Sequence, residues 1–216
     1  MTEKFCKITF IIPTIGRSTL SNTLNSLIHQ TNPNWKAIVI FDDISSTIQN
    51  IDSRIRIIKS PKLGQGHNSA GLVRNYGIRY ADTEWVAFVD DDDHLSNDYV
   101  EIFLKEITTY SSLDIIIFRM VFNNNIIYPL LETDMFYQNN VGISFTVKKQ
   151  LFDEQHIFIP SSGEDFNYLN EAKNKNYKIM ISPHITYFVR NSTNSDSIKL
   201  GTRVFINYTD QKESVM

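Results

Sequence analysis

The sequence predicts an α/β fold, with a mostly parallel central sheet flanked by helices and a smaller antiparallel element in the C-terminal half. Three observations carry this. Short apolar runs alternate with helix-period segments through the first half of the 216-residue chain, the pattern of a parallel sheet with helices packed on it. Two of those runs end in carboxylates, at Asp42-Asp43 and at Asp90-Asp91-Asp92-Asp93, and ligands in open α/β sheets bind just past the carboxyl ends of strands. After Tyr110 the alternation loosens, and apolar runs flank the polar turn Asn123-Asn124-Asn125, a hairpin signal.

Taken in order, Ile8 to Pro13 is a short strand closed by Thr14-Ile15-Gly16-Arg17. Ser18 then caps a helix whose Leu20, Leu24, Leu27 and Ile28 fall on one face. Trp35 to Phe41 and Ile55 to Ile58 are the next strands. A Gly-containing loop, Leu63 to Asn68, leads into a helix with Ala70, Val73, Gly77, Ile78 and Ala81 at helical spacing. Trp85 to Val89 is the fourth strand, and Ser96 caps a helix running from Asn97 to about Tyr110. In the second half, Ile115 to Val121, Ile126 to Leu131, Gly142 to Val147, Tyr177 to Ile181 and Ile185 to Val189 read as extended segments. A short helix lies near Lys148 to Phe152, and a longer one opens at Ser162-Gly163-Glu164-Asp165. The tail from Asn191 is polar. No internal repeat or linker argues for a second domain, so the reading is one domain over 1–216.

Composition narrows the function classes. A net charge of −3 with scattered basic residues gives no electrostatic footprint for nucleic acid or for a polybasic membrane contact. No apolar stretch reaches membrane-spanning length, the N-terminus lacks a signal-peptide pattern, and a cytoplasmic setting is the expectation. The single cysteine, Cys6, has no internal disulfide partner and reads as a packed small side chain.

The acidic run is the strongest chemical signal. Four adjacent carboxylates at one strand end repel one another unless a cation offsets them. Oxygen ligands suit Mg²⁺ or Mn²⁺, ions often held by one or two carboxylates plus substrate phosphates. The plainer alternative, acidic residues favoured by the dipole of the following helix, accounts for one or two aspartates and not for four. Parallel strands bring the carboxylates after Phe41 and after Val89 to the same sheet edge, so the two clusters converge on one crevice.

Several segments, in order, resemble the GT-A glycosyltransferases of family 2, which are inverting and nucleotide-sugar-dependent. Ile11-Ile12-Pro13-Thr14 is similar to that family's first strand, and Ala37-Ile38-Val39-Ile40-Phe41-Asp42-Asp43 to its second strand with the nucleoside-binding carboxylate. Gly71-Leu72-Val73-Arg74-Asn75-Tyr76-Gly77-Ile78 resembles its Ala-Arg-Asn-x-Gly helix, and Val89-Asp90-Asp91-Asp92-Asp93 its metal motif. Phe152-Asp153-Glu154 with Gly163-Glu164-Asp165 looks like the late segment carrying the catalytic base. The resemblance implies a single Rossmann-like GT-A domain, with a nucleotide-sugar-binding half over 1–94 and an acceptor-binding half over 95–190.

The site residues follow from it. Asp42 or Asp43 accepts the ring N–H of the nucleoside base, and Thr14 and the backbone at Gly16 line that base. Arg74 or Arg17 touches base or phosphate, with a surface ion pair as the alternative for either. Asp92 contacts Mn²⁺ or Mg²⁺, Asp90 bonds ribose or reaches the metal, and Asp91 and Asp93 have less defined roles. Asp165 is the base, with Glu164 as second choice or orienting partner, although Ser162-x-x-Asp165 and Ser161-x-x-Glu164 also fit a capping box. The family's late histidine has no counterpart in Tyr187-Phe188-Val189-Arg190-Asn191-Ser192, which leaves water, phosphates and Arg190 to complete the charge balance. His94 reads as an exposed loop histidine rather than a ligand, His67 in the Gly-containing loop is a candidate contact to donor or acceptor, and His184 carries no assigned role. UDP-sugars are the donors the resemblance favours, with a saccharide, lipid-linked or protein-glycan acceptor that Phe136, Tyr137, Phe158 and Tyr168 are candidates to stack on. Peripheral membrane association turns on an exposed apolar surface that sequence does not locate. The competing functions are a nucleotidyltransferase, disfavoured by the glycine-poor Thr14-Ile15-Gly16-Arg17, and a binding module of the same fold without turnover.

Overall fold

The structure, a computed structural model, describes residues 6–46, 48, 52–64, 69–122 and 125–190. His67, Asn123, Asn124 and the tail from Asn191 lie outside the described residues. Nine strands form one mixed sheet. In chain order the elements are β1 (Ile8–Thr14), α1 (Leu20–Ile28), β2 (Trp35–Asp42), β3 (Ile55–Ser60), α2 (Ala70–Ile78), β4 (Trp85–Phe88), β5 (His94–Leu95), α3 (Tyr99–Thr109), β6 (Ile115–Phe122), β7 (Ile126–Tyr128), β8 (Phe145–Lys148), α4 (Gln150–Asp153), α5 (Glu164–Asn174) and β9 (Ile179–Phe188). The sheet order is β3-β2-β1-β4-β8-β6-β9-β5, with β7 paired to β6.

The first half follows from burial on two faces. Every residue of β1 is buried, and β2 is buried except at Lys36 and Asp42, so both read as continuous apolar runs rather than alternating ones. β1 pairs in parallel with both β2 and β4, which aligns Thr14 with Phe41 and Ile11 with Phe88. The carboxyl ends of these strands therefore share one edge of the sheet. Helix α2 lies close on that sheet because Gly77 has no side chain. A Cβ there would sit 2.5 Å from Ile40 Cδ1 and 3.1 Å from Ile11 Cγ2.

The second half reverses direction. β8 is antiparallel to β4 and to β6, β9 runs parallel to β6, and β5 is antiparallel to β9. The antiparallel component predicted from sequence is thus built into the main sheet. Two predicted late strands are one, since Ser182 to His184 continue β9 across a register shift against β6. The Ile126 to Leu131 run stops at Tyr128, where a cis peptide bond to Pro129 turns the chain. Arg119, buried on β6, donates to the carbonyls of Pro129, Leu130 and Thr133 and holds that turn.

Predicted caps are displaced. Ser18 and Ser96 lie before the helices that begin at Leu20 and Tyr99, with Thr19 and Asp98 in the cap positions and no side-chain cap bond from either. At α5 the cap position is Gly163, in the left-handed region at φ +76°, again without a side-chain cap bond. Neither Ser161 nor Ser162 closes a capping box, so Glu164 and Asp165 are available for other partners.

Candidate active site

A cavity of about 360 Å³ opens at the shared strand edge, lined by Pro13, Thr14, Ile15, Arg17, Asp42, Gly64, Ser69, Ala70, Val73, Asp90 and Asp91. This is the crevice that parallel pairing requires. Of the two carboxylates closing β2, Asp42 faces the cavity and Asp43 does not. Asp42 accepts backbone N–H bonds from Leu63 at 2.7 Å and Gly64 at 2.9 Å, which fixes the rim of the loop. Asp43, at φ +60°, is half-exposed and pairs with Lys59 at 3.8 Å.

The acidic run divides by alternation. Asp91 and Asp93 are buried and committed. Asp91 accepts Thr14 Oγ1 at 2.6 Å and Arg17 Nη1 at 2.8 Å, while Thr14 Oγ1 itself accepts the N–H of Gly16 at 2.9 Å. Gly16 adopts φ +83°, where an L side chain would be strained. Asp93 accepts Tyr187 Oη at 2.7 Å and the backbone N–H of Arg190 at 2.8 Å. Asp90 and Asp92 instead keep 36% of their side-chain surface exposed. Burial pushes the Asp91 and Asp92 carboxyls up, and burial together with the neighbouring Asp90 pushes Asp93 up to about 8. Arg17, half-exposed, lies 3.4 Å from Asp92 Oδ2. Burial opposes its charge, but Asp91 and Asp92 more than offset that and raise its pKa.

The first turn of α5 brings Glu164 and Asp165 against α2, beside Arg74. Glu164 Oε1 accepts the N–H of Gly71 at 3.0 Å and Arg74 Nη1 at 2.8 Å. Asp165 Oδ1 lies 3.6 Å from that same Nη1, and no hydrogen bond holds it. Burial, aided by the charges of Asp90 and Glu164 and opposed by Arg74, pushes Asp165 up to about 7. Glu164 is raised as well, with burial the main cause. Arg74 is itself buried and bonds Asp90 Oδ1 at 2.5 Å. Its partners are carboxylates.

Sequence reasoning missed the supporting residues. Tyr187 joins the acidic run twice, donating to Asp93 and accepting the N–H of Asp90 at 3.2 Å. Asn75 clamps the backbone of Phe158 from both sides, at 2.8 and 3.0 Å, and so ties α2 to the segment before α5. Asn75 stands in the quoted Arg-Asn motif, whereas a tyrosine within a strand carries no signal beyond core packing. Of the aromatic acceptor candidates, Phe158 and Tyr168 are core residues, Phe136 packs against Phe166, and Tyr137 is exposed. His94 lies in β5, its ring stacked on Phe188.

Among the described residues, no group of three or more His, Cys, Asp or Glu could hold a metal ion. The remaining donor set is the part-exposed pair Asp90, which also accepts from Arg74, and Asp92. Two carboxylates suit a hard divalent cation whose remaining ligands come from water and phosphate, so the residues fit such an ion once a diphosphate is present.

A mixed α/β sheet with these carboxylates gathered at its strand ends defines the GT-A class of sugar-transferring domains. The chain belongs to Glycosyl transferase family 2, whose sequence pattern matches residues 9–163. Among characterised proteins it is similar to glycosyltransferase GlyA of Streptococcus pneumoniae, 30% identical over 161 residues, covering 70% of this chain and 21% of that protein. It is also 30% identical over 92 residues to the Escherichia coli UDP-Glc:alpha-D-GlcNAc-diphosphoundecaprenol beta-1,3-glucosyltransferase WfgD, covering 40% of this chain and 35% of that one. In structure it is similar to S. aureus TarS 1-349 in complex with UDP-GlcNAc, at a TM-score of 0.66 and 17% identity, covering 88% of this chain and 60% of that chain. The match thus spans about a fifth of GlyA's length and about a third of WfgD's. No helix among the described residues is long and apolar enough to cross a membrane.

Proposed function

We propose that the domain transfers a sugar from a UDP-sugar to an acceptor hydroxyl by direct, inverting displacement assisted by Mn²⁺ or Mg²⁺. The observation that carries this is the meeting of two carboxylate sets at one guanidinium. Asp42 and Asp90 line the cavity, Arg74 bonds Asp90, and Asp165, its pKa pushed up to about 7, lies 3.6 Å from the same Arg74. The solved relative in complex with UDP-GlcNAc and the UDP-Glc-dependent E. coli relative support the choice of donor.

In this reading Asp42 accepts the ring N–H of the base, while Thr14, Gly16 and Arg17 line the nucleoside and diphosphate. Asp90 and Asp92 hold the cation, with Asp91 as their buried support. A bound divalent cation supplies positive charge against the departing diphosphate. The acceptor oxygen bonds to the anomeric carbon as the bond from that carbon to the phosphate oxygen breaks, and Asp165 takes the hydroxyl proton. One base and one displacement invert the anomeric configuration. The acceptor is a saccharide, free, lipid-linked or on a protein.

Calorimetric titration with UDP, with and without Mn²⁺, tests the donor half. Binding that needs Mn²⁺ and weakens in Asp92→Ala supports the reading. Binding of GDP or dTDP in place of UDP changes only the donor, and failure of all three nucleotides sinks it.

A further inference from the structure

One guanidinium sits at the junction of the two carboxylate sets. The Arg74 side chain is only 3% exposed. Its two terminal nitrogens point in different directions, Nη2 to Asp90 Oδ1 at 2.5 Å and Nη1 to Glu164 Oε1 at 2.8 Å, with Asp165 Oδ1 3.6 Å from Nη1. Glu164 Oε1 is held a second time by the N–H of Gly71, and a Cβ on Gly71 would lie 2.7 Å from the other Glu164 oxygen. The sequence keeps this position free of a side chain, and the carboxylate packs directly on the helix backbone. A planar fork holds two carboxylates on separate nitrogens in a fixed geometry, whereas an ammonium offers a single nitrogen on a flexible stem. Burial makes each of these bonds costly to break.

We propose that Arg74 is a positioning residue that links the donor-holding Asp90 to the Glu164–Asp165 pair, so that occupation of the donor cavity and placement of the base depend on each other. The link rests on the donor reading given above. Glu164 is not among the residues lining the donor cavity, so its influence on UDP passes through Arg74 or through Gly71, the neighbour of the lining Ala70, and an Arg74→Lys background separates the two routes. Removing the Glu164 charge leaves Asp90 as the one charged carboxylate hydrogen-bonded to Arg74, with Asp165 at 3.6 Å. That holds Asp90 away from the donor and its cation, which weakens binding.

The test is UDP affinity by calorimetry in the presence of Mn²⁺, on folded protein verified by thermal melting. Glu164→Gln is expected to weaken UDP binding about fivefold, within the range of direct couplings between residues of one hydrogen-bond network. Asp165→Asn removes a carboxylate 3.6 Å from the same Nη1, against 2.8 Å for Glu164, but breaks no hydrogen bond to it, and is expected to change UDP affinity less than twofold, roughly the error of independent sites. In an Arg74→Lys background the effect of Glu164→Gln should shrink to the same level. Unchanged UDP affinity in Glu164→Gln overturns the proposal, as do equal losses in Glu164→Gln and Asp165→Asn, which mark a general field effect. The comparison of those two variants stands if Arg74→Lys fails to fold. If the wild type binds no UDP, the donor reading falls and takes this link with it; UDP binding indifferent to Glu164 overturns the link alone.

Discussion

At Asp165, burial and two neighbouring carboxylates act together against one guanidinium. The carboxyl lacks a hydrogen bond, faces the negative groups Asp90 and Glu164, and has the Arg74 guanidinium 3.6 Å away. With its pKa pushed up to about 7, the proposed base gains its charge as pH rises through that value, so turnover should rise with pH through about 7 and then level off in a pH–rate profile. Asp165→Asn should lower kcat by about 10²- to 10⁴-fold, with UDP affinity measured separately as the control. Loss of UDP affinity without loss of kcat would assign Asp165 to donor binding instead. These residues were legible from the sequence only by resemblance, because Ser161, Ser162, Glu164 and Asp165 spell a helix cap equally well. The cap did not form because Gly163 takes the left-handed position and Glu164 turns to Gly71 and Arg74. The alternation within the acidic run was not legible in the same way. Which aspartates are buried depends on Thr14, Arg17, Tyr187 and the backbone of Arg190, none adjacent in sequence.

At the scale of elements, the site is held by side chains that span from one segment to another. Tyr187 brings β9 to the acidic run, and Tyr187→Phe would leave the Asp93 carboxyl and the Asp90 N–H without that partner. The expected cost is about 1–3 kcal/mol in denaturant-induced unfolding, the penalty of an unsatisfied buried polar group. Gly71→Ala would place a methyl 2.6 Å from Phe158 Cβ and 2.7 Å from Glu164 Oε2. Overpacking of that kind costs about 1–3 kcal/mol, and a lowered melting temperature with reduced turnover would register it. The strands and helices of the first half follow from sequence almost element by element, since parallel strands buried on both faces announce themselves as apolar runs. In the second half, the register shift that joins two apparent strands into β9 and the two-residue β5 left no pattern long enough to read.

For the whole molecule, the buried Asp93 and the part-buried Asp165 make stability depend on pH in an unusual direction. Asp93 and Asp165 have folded-state pKa values of about 8 and about 7 against an ordinary 3.8. The fold prefers both protonated, so their contribution is fully present below about pH 4 and is lost as pH rises from there to about 8. The melting temperature without metal or nucleotide should therefore fall between pH 5 and pH 8, and adding Mn²⁺ with UDP at pH 8 should recover part of the loss. A melting temperature that climbs over the same interval would contradict the assignment. The sheet order also bears on how such enzymes diversify. β8, from the second half of the chain, is the strand hydrogen-bonded to the open edge of β4, and it joins that strand to β6. Exchanging the second half between relatives therefore means cutting a hydrogen-bonded ladder in mid-sheet and leaving β4 as a bare apolar edge, a template for aggregation. Altering a loop such as the turn after β7 leaves that ladder whole.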